Sequence, residues 1–237
     1  MSGLGPTARR SADAFARRDP FWPAQVTVAA AIALSLDLPS TLTIRQVWLI
    51  PSIEGVLLAA LVLSTPWVPA HHHHHRRRVA LGLVGLVSAS NLVNLGLLVH
   101  VLLHGHVQSL LHGQATASSP GSELVLAGVE IWVTNVLLFT VLYWELDRGG
   151  PLARRGDELR PPDFLFPQMT ERTLGGMQWC AGYVDYLYTS FTNATAFSPT
   201  DTMPLSPPAK LMMLVQSGAS LVTLGMVLAR AVNILTG

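Results

Sequence analysis

Residues 124–146 read LVLAGVEIWVTNVLLFTVLYWEL, twenty-three positions interrupted by two carboxylates, Glu130 and Glu145. Apolar residues fall on every side of a helix drawn through this run, so it has no polar face to offer water. A membrane-spanning helix needs about 20 such residues. The run therefore predicts a transmembrane helix, and comparable runs lie on both sides of it. They cover Gln25–Leu42, Val47–Val68, Val79–Leu103 and Lys210–Leu235. Asp37 and Pro39 sit in the last turns of the first, and Pro51 lies near the start of the second. A further stretch, Leu174–Phe197, is long enough to cross but is dotted with polar residues. It is either a full span or a half-buried pore helix. The expected fold is all-α: a polytopic transmembrane helical bundle of about six membrane segments.

Composition points the same way. Of 237 residues, 50% are hydrophobic and 12% are charged. Ordinary soluble domains carry about a quarter charged residues. A net charge of +1 leaves no basic footprint for nucleic acid. The single cysteine, Cys180, excludes a disulfide framework within the chain and a multi-cysteine metal site. No nucleophile elbow, P-loop, zincin motif or dinucleotide fingerprint is present. The chain is therefore not expected to be an enzyme, and no catalytic residue or cofactor is assigned. His100 and His104 share a helical face, but no carboxylate completes a metal motif, so no metal is assigned either. The run His71–His75 with Arg76–Arg78 either binds metal or touches anionic headgroups, and its place beside a span favours headgroups.

Orientation follows from Lys and Arg in the loops. With the N-terminus inside and six crossings, the inner side receives Arg9, Arg10, Arg17, Arg18, Arg76, Arg77, Arg78, Arg148, Arg154, Arg155, Arg160, Arg172 and Arg230. The outer side receives Arg45 and Lys210. Both termini are then cytoplasmic. The chain divides into a leader (1–23), a four-helix transmembrane region (24–146), a cytoplasmic linker (147–173) and a C-terminal module (174–237).

A carboxylate in the bilayer core costs a few kcal/mol unless it pairs, neutralises or faces water. Glu54, Glu130 and Asp185 fall within the proposed segments. Thr189, Thr192 and Asn193 follow Asp185 on one helical face. Such groups either line a cation or proton pathway or hold packed helices together. Asn91 and Asn94, three residues apart, read as helix glue.

The C-terminal fifth, from Tyr186, resembles the pore helix, filter loop and inner helix of the tetrameric potassium-channel superfamily. Ser190-Phe191-Thr192 looks like that family's pore-helix end, Thr195 falls at its filter threonine, and Asp201 and Pro204 keep its spacing. The resemblance implies pathway residues at Asp185, Thr189, Thr192, Asn193, Thr195 and Asp201, in a homo-oligomer. Ser198 and Thr200 stand where the filter glycines would be, and Pro199 lies between them. A ladder of backbone carbonyls of the usual kind is not expected from such a strand. The whole chain also resembles a group of uncharacterised bacterial polytopic membrane proteins. The likeness rests on Tyr143–Pro151 (YWELDRGGP), Asp163–Pro167 (DFLFP) and Asp185–Tyr188 (DYLY). It implies a multi-pass protein of the bacterial inner (cell) membrane.

In potassium channels the helix before the pore helix ends outside. The charge count ends Leu124–Leu146 inside, which makes six full spans the simplest arrangement. The expected function is a cation-channel-like or small-solute or ion transport protein without the usual potassium filter. The alternative is a membrane structural or interaction protein with no pathway. Expected partners are the lipid bilayer, further copies of the chain, and cations or protons, with no nucleic acid.

Overall fold

The computed structural model describes residues 21–37, 73–112, 120–154, 160–171, 179–195 and 201–236. The proposed span Val47–Val68, with Glu54, lies outside them. The described helices are α1 (Trp22–Asp37), α2 (His73–His112), α3 (Pro120–Leu146), α4 (Pro151–Arg154), α5 (Pro167–Thr170), α6 (Tyr183–Thr195) and α7 (Pro207–Thr236). Two short strands, β1 (Phe164–Leu165) and β2 (Met203–Pro204), pair antiparallel.

Three of these helices are long and apolar enough to cross a membrane, over Leu81–His100, Val125–Gly149 and Pro207–Val232. The middle one is the centre of the bundle. Apolar on all sides, α3 packs against α1, α2, α6 and α7. In its apolar window 56% of residues are buried, against 17% in α7, which lies at the periphery.

Side-chain contacts fix the directions. Asn91 Nδ2 donates to Ile131 O at 3.2 Å, and Leu98 approaches Gly128, so α2 and α3 are antiparallel. Asn135 bonds Ser220 Oγ at 2.9 Å, and Val227 packs on Gly128, so α3 and α7 are antiparallel too. Phe21, just before α1, sits edge-on to Trp144 at the C-terminal end of α3. One end of the bundle therefore gathers the starts of α1, α2 and α7 with the end of α3.

At that end the chain leaves α3 through three consecutive residues with positive φ: Arg148 (53°), Gly149 (84°) and Gly150 (97°). Glycine enters this conformation without the Cβ clash that opposes other residues. The left-handed Arg148 is held by its backbone N–H on Asp163 Oδ2 at 3.0 Å. The stretch expected as an irregular linker packs tightly here: Phe164, Phe166 and Met169 are buried against the aromatic ends of α3 and α6.

Of the sixth expected segment, Leu174–Phe197, residues 179–195 are described. Residues 179–182 are not helical, and α6 has 13 residues, about 20 Å at 1.5 Å each. That falls short of the roughly 30 Å of a hydrocarbon core. Its first turn lies beside the end of α3, where Tyr183 meets Trp144. Its last turn lies deeper, where Ala194 O accepts Trp132 Nε1–H at 3.3 Å. The chain is back at the first level by β2, which pairs with β1 in the register Phe164↔Pro204 and Leu165↔Met203. Leu205 N–H also donates to Asp163 O at 2.8 Å. Thus α6 dips into the bundle, and the chain returns to the end it started from. A half-buried helix is one of the two expected readings of this segment. Along the bundle axis, α1 starts at one end and α7 finishes at the other.

Candidate functional site: the polar junction of the dipping helix

The residues of the dipping helix meet α3 and α7 through a buried polar junction. At its centre is Gln216, fully buried on α7. Its Oε1 accepts the Tyr143 hydroxyl and Asn193 Nδ2–H, the latter at 2.7 Å. Its Nε2 donates to Ser190 O at 3.0 Å and Ser190 Oγ at 2.7 Å. One amide thus uses both acceptor positions and both donors. Ser190 Oγ in turn donates to Val136 O at 2.7 Å, inside α3. Ser217 Oγ donates to Asn193 Oδ1 at 3.0 Å. In a setting without water, each such partner avoids the cost of a bare buried polar group.

A second cluster locks the end where the chain turns. Asp147 is 1% exposed. Its carboxylate accepts Tyr186 O–H at 2.7 Å, Asp163 N–H at 2.8 Å and Phe164 N–H at 3.4 Å. These bonds tie α3, α6 and β1 together. Arg154 Nη1 donates to Trp144 O and Asp147 O, both at 2.8 Å, and so takes up carbonyls that the end of α3 leaves open. Its guanidinium also lies over the rings of Trp144 and Tyr186.

The expected pathway residues take several different places. Asp185 is half-buried, and its Oδ2 accepts Gly182 N–H at 2.7 Å while Gly182 O accepts Asp185 N–H at 3.1 Å. The first bond is the acid half of a capping box; Gly182 has no side chain to complete it, and its carbonyl takes the Asp185 N–H instead, which secures the first turn of α6. Thr189 donates to Asp185 O at 2.8 Å and shares a 3.2 Å hydrogen bond with Thr202. Thr192 and Thr195 turn back on their own helix, donating to Tyr188 O and Thr192 O. Asn193 joins the Gln216 junction. Asp201 is exposed at the head of the segment leading to β2. Glu130 is half-buried on α3, and Glu54 lies outside the described residues.

In the sequence Gln216 is one residue of the proposed inner helix, Tyr143 the first residue of YWELDRGGP, and Asn135 and Ser217 ordinary span residues. Their spacing held a signal. Gln216, Ser217 and Ser220 fall within two turns of α7, and Asn135 and Tyr143 lie eight residues apart on α3. Asn91 does reach across to α3, as the glue reading expects.

The junction carries no charged side chain, so it orients the dipping helix rather than binding an ion by charge. The C-terminal end of α6, with its partial negative charge, points into the bundle. No family model, curated protein or solved structure matches this chain.

Proposed function

We propose that the chain is a multi-pass bacterial cell-membrane protein of the cation-channel-like or ion-transport class, built on the dipping helix α6. The observation that carries this is the course of the chain from α3 through α6 to α7. A half-crossing helix between two antiparallel spans is the arrangement in which a membrane protein turns backbone toward a water-filled path, because lipid tolerates no irregular backbone. The C-terminal dipole of α6 would favour a cation at mid-depth.

Charge supports an orientation. Arg76, Arg77, Arg78, Arg148, Arg154, Arg160 and Lys210 lie at the end of the bundle from which α6 dips, and Arg230 lies toward the other. That asymmetry favours a cytoplasmic face at the α6 end and an outer C-terminus. Cysteines placed one at a time at positions 116, 160 and 237 in a Cys180→Ser background test it. Labelling of 116 and 237 from outside and of 160 from inside is expected. Labelling of 237 from inside would restore an even number of crossings.

Flux in liposomes tests the function itself. The expected result is a cation conductance that does not select potassium strongly over sodium, since Ser198 and Thr200 replace both filter glycines. A second reading, a membrane structural protein without a path, is favoured by one observation: Asn193, Thr192 and Thr195 spend their polar groups within the protein. Absence of flux from a well-folded sample would decide for that reading.

A further inference from the structure

We draw no further inference here: the strongest candidate, the outward apolar face of α7 that runs through Leu214, Gly218, Leu221, Gly225 and Leu228, is a helix face for which nothing among the described residues shows what covers it.

Discussion

Asn193 donates to Gln216 Oε1 at 2.7 Å, joining the dipping helix to the last span. Gln216 then reaches Tyr143 and Ser190 with its remaining groups. The position of α6 in the bundle is thus held by a side chain of α7 that also reaches α3.

Gln216→Ala should be among the most damaging substitutions in α7. It strips partners from the Tyr143 hydroxyl, Asn193 and Ser190 at once, and each orphaned group costs about 1–3 kcal/mol. A drop in melting temperature of more than about 5 °C is expected, at roughly 2–4 °C per kcal/mol for a chain of this size. Thr195→Ala is the control. Its hydroxyl bonds only its own helix, so its melting should stay near wild type.

At the turn, Asp147→Ala and Tyr186→Phe remove two ends of one 2.7 Å hydrogen bond. The first also leaves two backbone N–H groups without their acceptor. Asp147→Ala should therefore cost about 2–4 kcal/mol and Tyr186→Phe about 1 kcal/mol. The double variant should be less damaged than the sum, since the second change removes a partner already lost. Strict additivity in denaturation would mean that the two groups do not act together.

Asp185 now has a local role. As the acid of a capping box it should contribute about 1 kcal/mol, lost in Asp185→Ala and largely kept in Asp185→Asn, whose amide oxygen can still accept Gly182 N–H. Flux per folded molecule should be the same in Asp185→Asn and wild type. A loss of more than half the flux with unchanged melting would return Asp185 to the pathway.

Two glycines should answer oppositely to alanine. Gly149 has φ +84°, and a Cβ there meets Arg160 Nη1 at 2.8 Å, so Gly149→Ala should destabilise by about 1–2 kcal/mol. Gly225 lies inside α7, with nothing among the described residues within 4 Å of an added Cβ. Gly225→Ala should stabilise by up to about 1 kcal/mol through helix propensity. A lowered melting temperature for Gly225→Ala would show that something beyond the described residues packs on that glycine.

Much of the bundle is written locally in the sequence. A run such as Leu124–Leu146 must be helical and dry wherever it sits, because backbone polar groups in lipid need partners within the segment. The apolar runs within α2 and α7 are legible for the same reason, and so is the polar character of Leu174–Phe197. The direction of that segment was not. Whether it crosses or turns back depends on Phe164 pairing with Pro204, forty residues apart, and on Tyr186 reaching Asp147. No local pattern encodes such a pairing. The charge count could not supply it either, since a dipping α6 moves only Lys210 and Arg230 between sides. That count also treated Arg148 and Arg154 as solvated loop charges, whereas tertiary packing buries both. Sequence alone marked the runs within α2, α3 and α7 as helical and apolar enough to cross a membrane, through the chemistry of the backbone in an apolar medium. The tertiary structure decided which one turns back and which polar groups meet, because those depend on contacts between residues far apart in the chain.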